Sequence, residues 1–107
     1  MLYEMRIYDT LPGRLPALHK RFSETTLRMF EKHGIRSVGY WEEVVGKNNR
    51  LVYMLEFDDM AHRDKVWQAF QNDPEWIEAR NASEKDGPIV ALVTNRFLRG
   101  TAYSPLK

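Results

Sequence analysis

Apolar and polar positions alternate from the start of the chain. Tyr3, Met5 and Ile7 fall on one side, and Leu2, Glu4, Arg6 and Tyr8 on the other. Period two with aromatic and β-branched residues predicts a strand over residues 2–8, and the run Asp9-Thr10-Leu11-Pro12-Gly13 breaks it. The period then changes. Leu15, Leu18, Phe22, Thr26, Met29 and Phe30 make one stripe at 100° per residue, which predicts a helix over residues 14–33. Pro16 is tolerable only in the first turn, Lys32 and His33 suit the C-terminal dipole, and Gly34 suits the position just past the end. Residues 35–45 and 50–57 read as two strands joined by the turn-rich Gly46-Lys47-Asn48-Asn49, a β-hairpin. Asp58-Asp59 offers an N-cap for a helix over residues 60–72, with Met60, Trp67 and Phe70 on one side. Asp73-Pro74-Glu75-Trp76 starts another short helix, Asp86-Gly87-Pro88 stops it, and residues 89–98 read as a fourth strand. The tail, residues 98–107, reads as extended.

The order β-α-β-β-α-β, with right-handed crossovers, places both helical regions on one face of a four-stranded antiparallel sheet. The expected fold is therefore α+β and ferredoxin-like. Its second face is left bare and should be polar if it meets water. The strands instead carry large apolar residues on both faces: Leu51, Tyr53, Leu55 and Phe57 oppose Val52 and Met54; Ile35 and Trp41 oppose Val38, Tyr40 and Val44; Ile89, Ala91, Val93 and Phe97 oppose Val90, Leu92 and Leu98. Burying several hundred Å² of such surface is worth on the order of 10 kcal/mol before association costs. The expectation is a homodimer joined sheet to sheet as a dimeric α/β-barrel; the alternative is a monomer whose tail covers the face.

Composition narrows the chemistry. The chain has 107 residues, enough for one domain, and 43% hydrophobic residues, enough for a core. Sixteen basic against fifteen acidic residues are interspersed, which leaves no broad patch for nucleic acid or an anionic membrane. There are no cysteines, so disulfides, thiolate nucleophiles and Cys-ligated metals are excluded. Apolar runs are too short for membrane insertion. No signal-peptide or presequence pattern opens the chain, and the expected location is cytoplasmic.

Glu4, Arg6 and Tyr8 share one strand face with neighbours about 7 Å apart. They read either as a polar strip inside the barrel that orients an anionic or carbonyl-bearing ligand, or as an ion-pair network that fixes register. Tyr40, Trp41 and Tyr53 sit on adjoining strands and either line an apolar pocket or fill the core. Arg63 lies on the apolar side of its helix, so its guanidinium needs a partner, reaches a pocket mouth, or snorkels to the surface. His19, His33 and His62 match no metal pattern, and no Walker, GxGxxG, GxSxG or HExxH motif is present. No metal and no cofactor are expected.

Tyr3-Glu4-x-Arg6-x-Tyr8, Gly39-Tyr40-Trp41, Gly46 with Asn49, and Asp73-Pro74-Glu75-Trp76, in this order and spacing, resemble the NIPSNAP domain family over residues 2–98. The resemblance implies a dimeric α/β-barrel, a family linked to vesicle traffic and mitochondria, and bacterial members without an assigned activity. Strand three departs from the pattern: Tyr53-Met54-Leu55 stands where the family often has a His-Leu-Trp-like run, so no role of that histidine carries over. The expected function is that of a NIPSNAP-type homodimer that binds a small apolar or aromatic ligand through Glu4, Arg6, Tyr8, Tyr40, Trp41, Tyr53 and Arg63. The alternative, by analogy of fold, is a cofactor-independent monooxygenase or isomerase on an aromatic or polyketide-like substrate.

Overall fold

β1 (Leu2–Thr10) and β3 (Arg50–Phe57) pair antiparallel at the centre of a four-stranded sheet of order β2-β3-β1-β4, with β2 (Arg36–Glu42) and β4 (Val90–Arg99) at its edges. This sheet belongs to a computed structural model that describes residues 1–107. α1 (Leu15–Arg21), a π-helical turn (Phe22–Thr26) and α2 (Leu27–Lys32) run on as one rod; α3 (Met60–Gln71) and α4 (Pro74–Ser83) connect β3 to β4. The fold is ferredoxin-like, of the α+β class. No helix is long and apolar enough to cross a membrane.

Helix ends follow the sequence signals. Asp59 and Asp73 accept hydrogen bonds from the backbone N–H groups of His62 and Glu75 at 2.8 and 2.9 Å, capping α3 and α4. Asp73 also accepts from His33 at 2.7 Å and pairs with Lys32 at 2.8 Å, so the end of α2 is tied to the start of α4. Lys32 first and His33 second hold the Asp73 carboxyl well below the usual carboxylate range. The rod ends in a Schellman motif: Ile35 N–H donates to the Phe30 carbonyl at 2.9 Å and Gly34 N–H to Glu31 at 3.1 Å. Gly34 has φ +72°, a conformation that penalises a Cβ. Gly34→Ala is therefore expected to cost about 1 kcal/mol in urea unfolding with an unchanged slope.

The core lies between the helices and one face of the sheet. Leu18, Phe22, Met29 and Phe30 from the rod meet Leu51, Tyr53, Leu55 and Phe57 of β3, with Phe70, Trp76 and Ile89 closing the ends. Pairing sets Glu4 opposite Leu55, Arg6 opposite Tyr53 and Tyr8 opposite Leu51. The Glu4–Arg6–Tyr8 strip therefore faces the helices. A strip lining the inside of a two-chain barrel, one of the two expectations, would point the other way. The open face carries Tyr3, Met5, Ile7, Val52, Met54, Trp41, Leu92 and Leu98, rimmed by Arg50 with Asp9 and Glu43 and by Arg36 with Glu56 and Asp58.

Other expectations change as well. β2 ends at Glu42, and Val44 and Val45 are fully exposed beyond it. A bulge between Ser37 and Gly39 separates Ile35, which is buried in the core, from Trp41 on the open face. A second irregularity, opposite Asp9 and Thr10, shifts the register of β4, so Ile89 is buried while Val93 and Phe97 stay exposed on the helix side. Met60 is exposed rather than packed. β4 runs to Arg99, and the tail beyond it is turned, not extended: Ser104 N–H donates to Thr101. Tyr3 donates its hydroxyl to the Lys107 carbonyl at 3.3 Å, so the tail covers one corner of the open face, while Trp41 and Leu92 remain 51% and 58% exposed.

Candidate functional site

Two constellations stand out on the helix side. In the first, β1, β3, β4 and α3 bring six charged and polar groups together. Glu4 is fully buried and accepts from Arg6 Nη1 at 2.7 Å, Arg63 Nε at 3.0 Å, Arg63 Nη2 at 3.1 Å and Asn95 Nδ2 at 3.1 Å. Arg6 Nε donates to the Tyr53 hydroxyl at 2.9 Å and Nη2 to the Tyr8 hydroxyl at 3.3 Å; Tyr53 in turn donates to Tyr8 at 2.8 Å. Trp67 roofs the cluster, with the Arg6 and Arg63 guanidinium carbons 4.4 and 5.2 Å from its ring centre.

Burial alone would raise the Glu4 carboxyl, but hydrogen bonds from Arg63 and Asn95 and the charge of Arg6 hold it below its ordinary value. Burial also works against the Arg6 charge, yet Tyr53, Tyr8 and Glu4 together raise its hold on its proton. Burial pushes the Tyr53 hydroxyl well above the usual phenol range. Two guanidinium groups share the buried Glu4 carboxylate, and Arg63 also pairs through Nη1 with the exposed Asp64 at 3.3 Å. Glu4, Arg6, Tyr8, Tyr53, Arg63 and Asn95 are joined in one hydrogen-bonded network, and Arg63 is shared between Glu4 and Asp64. No cavity in the molecule is lined by Glu4, Arg6, Tyr53 or Arg63.

The second constellation is a pocket of about 300 Å³ between the rod and the β2 edge, walled by Phe22, Leu27, Tyr40, Trp41 and Leu51. Its polar lining is His19, Ser23 and Glu42, and His19 Nε2 lies 2.6 Å from Glu42 Oε1. Tyr40 stacks on Tyr53 at 5.3 Å and bonds through its hydroxyl to Ser37 at 2.6 Å; burial raises its proton affinity, so it stays a neutral phenol. Trp41 folds back along β2, where a Cβ on Gly39 would come within 2.7 Å of the indole. Tyr40 and Trp41 thus belong to this pocket and not to the arginine cluster.

Four contributors escape the sequence reading. Asn95 enters through the β1–β4 register, where it lies opposite Arg6. Trp67, placed by the sequence only on one side of its helix, covers both guanidinium groups. His19 and Glu42 meet across a helix and a strand 23 positions apart, with no local motif to mark them. No group of three potential metal-ligating side chains forms.

Comparison with known proteins agrees with this geometry. The NIPSNAP family profile matches residues 3–105. The protein NipSnap homolog 3B of Mus musculus is 31% identical over 77 residues, which cover 71% of this chain and 30% of that protein, so the chain spans under a third of that curated relative. The structure of an uncharacterized NIPSNAP domain protein from Burkholderia xenovorans superimposes with a TM-score of 0.86 at 27% identity, covering 98% of this chain and 99% of that one. A putative antibiotic biosynthesis monooxygenase from Nitrosomonas europaea shares the fold alone, with a TM-score of 0.65 at 10% identity and coverage of 94% and 98%. The profile match over residues 3–105, with a curated relative 31% identical over 71% of the chain, places this chain in the NIPSNAP family.

Proposed function

We propose that this NIPSNAP domain binds a small apolar or aromatic molecule in the pocket beside β2. The observation that carries this reading is the pocket itself. Its volume of about 300 Å³ lies at the lower end of small-ligand sites, and its walls are mainly aromatic and aliphatic around one hydrogen-bonded pair, His19 and Glu42. Such a lining recognises a ring or chain by burial and one hydroxyl or carbonyl by hydrogen bonding. The arginine cluster serves this site indirectly: it fixes Tyr53, on which the pocket residue Tyr40 stacks.

The test is a thermal-shift and calorimetric screen with aromatic acids, phenols and quinones. Leu27→Trp, at an exposed wall position, fills the pocket and is expected to abolish any stabilisation seen for the native chain. Ligand binding that survives Leu27→Trp unchanged, or no binding by any member of the panel, overturns the reading. Gly39→Ala supplies a second check. The added Cβ drives the Trp41 indole off its place, so ligand affinity should fall about tenfold. Because Trp41 is already half exposed, unfolding stability should change by no more than about 0.5 kcal/mol.

The His19–Glu42 pair favours a second reading, a cofactor-independent monooxygenase or isomerase. An imidazole held by a carboxylate is an arrangement suited to taking a proton from a phenol or enol. His19→Gln separates the two: unchanged binding with lost turnover supports the enzyme, while unchanged binding with no turnover in either form supports a binding domain.

We also propose that two chains pair through the open sheet face. Support comes from its half-buried Met5, Ile7, Val52 and Met54 and exposed Trp41 and Leu92, inside a rim of ion pairs. An apolar centre with a polar rim is the pattern of a protein interface.

A further inference from the structure

The pocket beside β2 is one-sided in its charge. Three aromatic residues, Phe22, Tyr40 and Trp41, border it, and no lysine or arginine does. Glu42, at the end of β2, is its one carboxylate. The Glu42 side chain is 61% exposed and therefore within reach of an incoming molecule. Only one of its oxygens is engaged: Oε1 lies 2.6 Å from His19 Nε2, while Oε2 has no partner in the chain. The other polar groups are occupied. Ser23 donates its hydroxyl to the Lys20 carbonyl at 3.2 Å, and the Tyr40 hydroxyl is paired with that of Ser37 at 2.6 Å. In a neutral His19 whose Nε2–H donates to Glu42, Nδ1 is a further acceptor.

Such a lining sorts ligands by charge. Apolar walls strip water from whatever enters, and a carboxylate beside them disfavours an anion and favours a cation that can donate to it. Aromatic rings act in the same sense, because their negative faces attract an ammonium group. The only group on the lining that can offset Glu42 is the His19 imidazole, and it does so only when protonated. The volume of about 300 Å³ suits a body of one ring with a short side chain.

We infer that this pocket selects protonated amines carried on a small aromatic or apolar body. The ammonium group pairs with the free Oε2 of Glu42, and the body lies against the aromatic walls. This selectivity rests on the reading of the pocket as a small-molecule site and narrows the class of molecule it takes. His19 acts here as a positioning residue: it holds Oε1 and so leaves Oε2 to the ligand.

The probes are three phenols measured by calorimetry: tyramine, para-propylphenol and para-hydroxyphenylacetate. At about pH 8 the first is a cation, the second neutral and the third an anion. Tyramine and para-propylphenol have the same number of non-hydrogen atoms, so they compare charge at constant size. Tyramine should bind about tenfold more tightly than para-propylphenol, and para-hydroxyphenylacetate more weakly than either. Glu42→Gln keeps the shape and removes the charge, and should bring the ratio of tyramine to para-propylphenol affinity within about twofold of unity. Trp41→Leu, at a half-exposed position, should lower that ratio to about threefold. Para-propylphenol binding as tightly as tyramine, a ratio unmoved by Glu42→Gln, or tyramine binding that survives Leu27→Trp overturns the preference for a cation. In the first two of these cases the pocket still stands as a small-molecule site. Binding by none of the three overturns both that reading and this one.

Discussion

Replacing Glu4 with alanine is expected to destabilise the fold by about 3 kcal/mol, because it leaves the buried Arg6 guanidinium without its carboxylate and takes from the half-buried Arg63 one of its two. Glu4 has no exposed surface, and it is the acceptor for Arg6, for Nε and Nη2 of Arg63 and for the Asn95 amide. A domain of this size has about 5–15 kcal/mol in total, so the variant should lie near its folding threshold. Glu4→Gln keeps the shape and loses the charge, and should fold with a smaller loss. Chemical unfolding of both variants against the native chain measures the effect. A loss below about 1 kcal/mol for alanine would mean that the cluster is solvated rather than sealed.

The same residue sets an expectation for pH. The folded carboxyl of Glu4 titrates below its ordinary value of 4.5. Its stabilisation is therefore complete above that value and is lost as pH falls through the lower, folded one. Asp9, Asp58, Asp73, Glu43 and Glu75 are shifted the same way, chiefly by Arg50, Arg36, Lys32, the Lys47 backbone and Arg28 respectively. Native stability should then fall steeply below about pH 4.5. Glu4→Gln should show a shallower decline, the difference being the share that belongs to the arginine cluster.

The second large effect concerns assembly. Ile7→Asp places a carboxylate in the middle of the open face, between Val52 and Thr94. In the proposed pairing it would be buried opposite apolar side chains, and the association constant should fall by at least about 100-fold. Light scattering should give twice 12.7 kDa for the native chain and 12.7 kDa for the variant at micromolar concentration. Circular dichroism should be unchanged, because the core lies on the other side of the sheet. A native monomer, or a variant that still pairs, would remove the sheet-to-sheet proposal.

Much of the fold was legible because its signals are local. The alternation of Leu51, Tyr53, Leu55 and Phe57 names the core face of β3, and Asp73-Pro74-Glu75 names the start of α4. The bulges were not legible. One extra residue near Val38 and another near Ala91 each reverse which face later side chains meet, and neither leaves a mark beyond Gly39. The π-helical turn was hidden too, since Phe22-Ser23-Glu24-Thr25-Thr26 contains no breaker and fits an ordinary helical stripe. Within the arginine cluster, Glu4, Arg6 and Tyr8 could be nominated from one strand's alternation. That they lie under α3 beside Arg63, Tyr53 and Asn95 follows from strand pairing and helix placement, which are long-range. His19 and Glu42 had no signature at all, because neither residue is unusual in its own element.

The π-helical turn has one more consequence, for how this segment tolerates change. Its wider coil sets the rotational phase between the two halves of the rod, so that Leu18 before it and Met29 and Phe30 after it all point inward. Removing a single residue from the turn would rotate one half by about 100° against the other and turn one set of anchors outward. Substitutions at the exposed Glu24 should pass almost unnoticed, while deletions or insertions between Leu18 and Phe30 should not. Selection over this stretch would then act on spacing more than on spelling.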